Sequence, residues 1–321
     1  MYSQENEEAS INEIQSTKVT EETSPFDGFE EYLGPESGII PRILADVFAY
    51  LSKQQGQKSV QISYLEIYNN EGFDLLSERL RSKTPRNVKD LSRVFAMTDA
   101  RNKVHLKNLS LHEVRSMEHS FELLNQGNAT RKIAETQLNE ASSRSHCIFT
   151  IYITTKNPTK AEVTRSKINL VDLAGSERVS KWANVNKILL KETRNINLSL
   201  HHLQRVIEAL SHKQLGKPPQ KSQHVPFRSS LITLVLSDSL GGNSVTRMVA
   251  TVSNELPNLD ESISTCRFAQ RVASIKNRIY ANHTTDSDFL IARLKQEIED
   301  LRSVKTISLL LRQYLFKKKV K

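Results

Sequence analysis

Apolar positions recur at helical spacing over Ile43, Leu44, Val47, Phe48 and Leu51, so a helix is predicted to open at Gly38-Ile39-Ile40-Pro41-Arg42. Ser59 to Tyr68 alternates apolar and polar side chains and reads as a strand. A turn at Asn69 to Leu76 follows, then a polar, basic stretch over 77–103 that reads as a surface loop. Val104 to Leu111 is a predicted strand, and Ser116 to Gln126 a helix with Met117, Phe121 and Leu124 facing inward. Cys147 to Thr154 alternates strictly and is a further strand, closed by a turn over Lys156 to Thr164. Ile168, Leu170 and Val171 form a short apolar run, the pattern of a buried parallel strand. A long helix over 189–211, a basic loop over 213–223 and a short helix over 230–237 come next. The last core strand is placed at Thr246 to Ser253 and the last core helix at Leu259 to Ile275. With 321 residues, the expectation is one large α/β domain with extensions.

Both ends change character. Residues 1–24 are rich in Glu, Ser, Thr, Gln and Asn, and cannot bury enough surface to offset ordering entropy, so they are expected to be disordered. The body is assigned to 25–277. Beyond it, 278–321 holds Ile291, Leu294, Ile298 and Leu301 at a and d spacing, followed by a basic tail ending Lys317-Lys318-Lys319-Val320-Lys321. Two heptads give a short, neck-like helix capable of weak self-association at most.

Charge sharpens this division. The net charge is +9, but residues 1–31 hold nine acids and one lysine, a balance of −8, leaving +17 for the rest. A basic body suits an acidic partner, with nucleic acid as the general class. Cys147 and Cys266 lie in apolar segments and are expected as small core residues of a reducing compartment. No 18-residue apolar run occurs, so no membrane partner is expected and the chain is read as soluble and intracellular.

Two stretches carry candidate chemistry. Asp172 follows the apolar run and opens D-L-A-G-S-E, Asp172 to Glu177. An aspartate buried at a strand end is costly without a partner, and a magnesium ion carrying phosphate oxygens would supply one. Gly175 lets a backbone N–H approach a terminal phosphate, although D-x-x-G also describes an ordinary turn. Upstream, Asn139 to His146 reads N-E-A-S-S-R-S-H. Its serine hydroxyls suit metal or phosphate, and Arg144 suits phosphate or carboxylate.

Together and in this order, the two stretches resemble the first and second switches of a kinesin motor domain. Ile196-Asn197-Leu198-Ser199-Leu200, His224-Val225-Pro226-Phe227-Arg228, Asp238-Ser239-Leu240-Gly241-Gly242-Asn243 and Asn258 to Asn277 resemble further kinesin motifs. The likeness runs from about Gly38 to Asn277, and its wording is closest to the ninth, ciliary and flagellar kinesin class. The resemblance implies a P-loop-NTPase-like α/β sheet flanked by helices, with ATP and magnesium as cofactors and microtubules, not nucleic acid or membrane, as partner. It implies that Asn139, Ser142, Ser143 and Asp172 bind the nucleotide, with Ser143 on magnesium and Asp172 holding it through water. Arg144 and Glu177 would close the site as an ion pair, and Gly175 would contact the γ-phosphate. Arg178, Asn197 and Arg228 stand where the family meets tubulin. Leu198, Leu231 and Leu234 replace family cations, and Lys213, Lys217 and Lys221 offer compensating charge. Location in the cytoplasm on the cytoskeleton, or in a cilium or flagellum, follows from the same likeness.

The sequence also departs from the family. Lys181-Trp182-Ala183-Asn184-Val185-Asn186-Lys187 replaces a glycine-bearing loop. None of the ten glycines begins G-x-x-x-x-G-K-[ST], the loop whose N–H groups and lysine cradle phosphates. The acidic stretch Thr20 to Ser37 stands where that loop is expected, and the first family strands, including the central one, are missing. Three functions stay open: a motor ATPase by family, a nucleotide-independent microtubule-binding fragment, or a truncated product without function.

Overall fold

The computed structural model describes residues 34–77, 90–100, 103–136, 145–157, 162–175, 187–214, 224–285 and most of 287–305, with backbone alone for 133–136 and 187–197. At its centre lies the hairpin of β1 (Gln57–Tyr68) and β2 (Glu71–Asp74). Asn69 and Asn70, with φ of 53° and 62°, form its two-residue turn. That is the left-handed pair a tight hairpin demands, and asparagine tolerates it. Asn70 is thus the second residue of the turn. Its Oδ1 also accepts the Leu231 N–H at 2.8 Å, tying the turn to a later helix.

The sheet runs β4-β3-β2-β1-β6-β7-β8, where β3 is Ser92–Thr98, β4 Val104–Lys107, β6 Ser145–Asn157, β7 Glu162–Asp172 and β8 His283–Thr285. β5 (His112–Val114) pairs with the outer end of β1. All of these pairings are antiparallel. The expected parallel setting of Ile168, Leu170 and Val171 is thus corrected. β7 is one arm of a long meander, joined to β6 in unbroken register from Cys147↔Asp172 to Asn157↔Glu162. Its apolar run reflects burial, which arises in either strand direction.

Side chains of the central strands alternate between two cores. On one face, Ile62, Tyr64, Phe149 and Ile151 pack with Leu44, Phe48 and Leu51 of α1 (Ile39–Ser52) and with Met117, Leu123 and Leu124 of α2 (Met117–Thr136). On the other, Leu65, Ile67 and Ile148 pack with Leu203, Val206, Ile207 and Leu210 of α3 (Lys187–Gln214) and Ile232 of α4 (Leu231–Val235). Both faces of β6 are covered, so Ser145 to Ile151 are buried without a break. The strict alternation of β6 therefore sorts side chains between two cores rather than between core and water.

Several boundaries move. The loop expected over 77–103 contains β3, whose short apolar run Val94 to Met97 lies inside an otherwise polar, basic stretch. The helix expected to stop at Gln126 continues to Thr136, because Gly127 lies against the Tyr64 ring instead of capping an end. Lys213 belongs to the last turn of α3 rather than to a loop. Thr246 to Ser253 is not a strand and pairs with none. Cys266 is exposed on α5 (Leu259–Ala273), while Cys147 is buried as expected. Residues 1–33, with the disordered segment expected there, and 306–321 lie outside the described residues. Residues 290–302 form a helix whose Ile291, Leu294, Ile298 and Leu301 are exposed. Among the described residues no helix is long and apolar enough to cross a membrane.

Candidate functional site

β6 and β7 carry the two motif stretches to one end of the sheet. The register sets Cys147 opposite Asp172, so the chain leaving Asp172 runs beside the start of β6. The Asp172 side chain is 68% exposed, which corrects the expectation of burial. Among the described residues no strand flanks the far edge of β7 at that level, since β8 pairs only with Glu162 to Thr164. Its carboxylate meets the Arg131 guanidinium at 3.4 Å. Such a half-solvated pair contributes about 0–1 kcal/mol.

His146 holds the crossing together. It is 2% exposed. Its Nδ1 accepts the Ala174 N–H at 2.9 Å, and its Nε2 lies 2.7 Å from the Ser199 Oγ of α3. Burial pushes its pKa down to about 4, partly opposed by the Asp172 charge. Burial likewise raises the Cys147 thiol to about 12 and the Tyr64 hydroxyl to about 12, so neither ionises near neutrality.

The D-S-L-G-G-N stretch has a structural role. Asn277 accepts the Gly241 N–H at 2.8 Å and donates to the carbonyls of Ser244 at 2.6 Å and Ser239 at 3.1 Å. Gly241 adopts φ +75°, a conformation that glycine takes without strain. Asn169 of β7 donates to Ser239 Oγ at 3.3 Å, and Lys167 pairs with Asp238. The motif is thus clamped between β7 and the chain following α5.

Of the sequence-predicted site residues, Asp172 and Gly175 sit together after β7. Asn139, Ser142, Ser143, Arg144, Glu177, Arg178, Lys217 and Lys221 lie outside the described residues, and so does Trp182. Asn197 is on α3 within its backbone-only portion. Lys213, ending α3, and Arg228, in the single turn Phe227–Ser229 before α4, are both exposed. Ser230 caps α4 by accepting the Thr233 N–H, while the Thr233 hydroxyl accepts the Ser230 N–H, which fixes the approach of Arg228. Sequence reasoning missed His146, Ser199 and Arg131 as working residues. A polar ring opening a wholly buried strand was the available signal, because such a group must find partners.

A magnesium nucleotide does not fit the described donors. They offer one exposed carboxylate already facing a guanidinium, and no group of three or more acidic, His or Cys side chains placed for a metal.

A profile of the kinesin motor domain matches residues 30–275. Kinesin-like protein KIF11-B of Xenopus laevis is 40% identical over 273 residues, covering 84% of this chain and 24% of that protein. Kinesin-like protein KIF9 of Mus musculus is 40% identical over 270 residues, covering 83% of this chain and 32% of that one. This chain thus spans a minor part of the length of those relatives. Among solved structures, a KIF14 dimer in its two-heads-bound state, with AMP-PNP on a microtubule, is similar with a TM-score of 0.68 and 37% identity, covering 78% of this chain and 68% of that chain. A fast kinesin, described for its ATPase mechanism and interactions with microtubules, gives a TM-score of 0.66 at 36% identity, covering 77% of this chain and 65% of that chain.

Proposed function

Because the chain belongs to the kinesin motor-domain family, we propose that it serves microtubule-based movement by binding the acidic surface of tubulin. The observation that carries this is the exposed cationic side of α3 and its surroundings. His201, Arg205, His212 and Lys213 face outward while Leu203, Val206, Ile207 and Leu210 are buried beneath them. Arg228 is exposed just before α4, which packs beside α3 in the same core. By the family pattern, Arg178, Asn197, Lys217 and Lys221 would also meet tubulin. Similar chains have been solved on microtubules, as the KIF14 structure shows for that protein.

In the nucleotide role, Ser143 and Asp172 would serve magnesium, Asn139 and Ser142 the nucleotide, and Arg144, Gly175 and Glu177 the closing of the site. ATP with magnesium is the cofactor that the family pattern assigns to these residues. This chain carries no phosphate loop in sequence, and its described donors do not hold a metal, so binding is expected to be weak and indifferent to nucleotide. Residues 25–277 form the motor body, with the acidic 1–24 before it and the neck-like helix and basic tail of 278–321 after it. The site of action is the cytoplasmic cytoskeleton. The ciliary placement rests on the ninth-class wording of the motifs and is tested by localising the tagged chain.

Co-sedimentation with microtubules over a salt series, with ATP, ADP or no nucleotide, checks the proposal. Exposed charge contacts are screened over about 10 Å at 0.1 M salt. Binding is expected to fall steeply with salt, to weaken in Arg228→Ala, and to be equal in all three nucleotide states. Tight binding released by ATP, or microtubule-stimulated hydrolysis lost in Asp172→Ala, would show a working motor site instead. No binding at low salt would remove the partner.

A further inference from the structure

The two hydrogen bonds of His146 join the segment after β7 to α3 through polar groups, beside the packing of Leu173 against the core that holds Leu203 and Val206. Ala174 lies two residues after Asp172 and one before Gly175. Ser199 lies on α3, two residues after Asn197. Between them stands one imidazole, at the second residue of β6, paired in register with Ile67. Because Nδ1 accepts from the Ala174 backbone, it carries no proton. The neutral ring must then be protonated on Nε2, which donates to Ser199 Oγ. Ser199 and Ala174 are both buried, so neither bond is exchanged for water without cost.

We propose that His146 is a positioning residue that fixes the segment after β7 to helix α3, so that displacement of residues 172–175 and displacement of α3 are one event. The ring sits on β6, a strand covered on both faces, and so acts as a rigid spacer rather than a flexible tether. A hydroxyl at 199 and a bare Nδ1 at 146 are both required. An asparagine or lysine at 146 would not span the same two partners with one planar ring. The consequence for microtubule binding rests on the function proposed above, whereas the link itself does not.

The experiment uses the full chain. Nitrogen-15 spectra of its histidines are expected to show one ring locked in the Nε2–H tautomer and unchanged from pH 7.5 to 5.5. Hydrogen exchange at the Ala174 amide is then compared in Ser199→Thr, which keeps the hydroxyl, and Ser199→Val, which matches threonine in shape without it. Loss of the α3 partner is expected to speed exchange at Ala174 about tenfold in the valine variant and leave it unchanged in the threonine variant. His146→Gln should speed it at least as much, and adding Ser199→Val to it should do nothing further. Equal exchange in the threonine and valine variants overturns the proposal. So does an Ala174 amide in the parent chain that exchanges as fast as an unprotected one, or a locked Nδ1–H tautomer. Co-sedimentation of the same variants reads the proposed function separately. A parent chain that does not bind microtubules sinks that function without altering the exchange result.

Discussion

The two flanks of β6 use the same kinds of residue and come to different ends. Toward β1, both β6 and β1 have neighbours on both edges and helices on both faces, and Ile62, Ile67, Ile148 and Phe149 are buried. Toward β7 the coverage stops. Past Arg165, whose N–H reaches the Asn282 carbonyl at 3.1 Å, no further strand flanks β7 among the described residues. Val249 and Val252 are 77% and 59% exposed in the segment expected to be the last core strand. Helix α5 turns Phe268 and Val272 toward α3 but leaves Leu259 and Ile263 in water, and none of its residues is fully buried. An apolar pattern thus declares what a segment needs, and only a neighbour supplies it. Each valine or leucine left uncovered forgoes roughly 1.5–3 kcal/mol. An unpaired strand edge also invites pairing with other chains. The product is therefore expected to be prone to self-association.

Truncation on the closed flank should have the largest effect. Phe149→Ala empties a site that is fully buried beside Tyr64, whose ring meets it edge-on at 5.4 Å. It is expected to cost about 3–5 kcal/mol in chemical denaturation. A cost under ~1 kcal/mol would mean that this core is loose. Second comes acidity. The pKa of His146 is depressed in the folded state, to about 4 from the ordinary 6.5. The unfolded chain binds the extra proton first, so this contribution is intact above 6.5 and is lost as pH falls toward 4. Stability should drop by at most about 2 kcal/mol between pH 7 and 5. The drop should shrink in His146→Gln, measured by urea titration at each pH. Third, Arg131→Gln removes the half-solvated pair with Asp172 together with a side-chain hydrogen bond to Tyr64, and should shift stability by about 1 kcal/mol. The smallest effect belongs to the open flank. Val249→Ala should change stability by no more than about 0.5 kcal/mol, while Val249→Lys should reduce light scattering of the concentrated chain. A large loss from Val249→Ala would show that this residue is covered in solution.

Much of the closed flank was legible in sequence. The spacing of Leu44, Val47, Phe48 and Leu51 placed α1, and alternation placed β1 and β6, because each period matches a face that is buried. Sequence reasoning missed β3 because its apolar run, Val94 to Met97, is short and set in a polar, basic stretch, and of these four residues only Val94 is buried. The direction of β7 was hidden for a different reason. Burial makes a strand apolar whichever way its neighbour runs. Thr246 to Ser253 shows the converse failure, a strand pattern without a partner. At the site, Asp172 and Gly175 were found by their motif, with the burial of Asp172 wrongly inferred. His146 was quoted as the last letter of a motif, yet its two bonds depend on Ala174 and Ser199, which are distant in sequence and ordinary in type.

The contrast between the flanks is tested most directly by hydrogen exchange resolved at single amides along β6 and β7. β6 is paired on both edges over Cys147 to Ile151, so its amides there should be protected without interruption. In β7 from Ser166 to Asp172, only alternate amides should be protected, those that point to β6, while the outward ones exchange with solvent. Uniform protection of both strands would mean that a further segment covers the β7 edge, and the open flank described here would not exist.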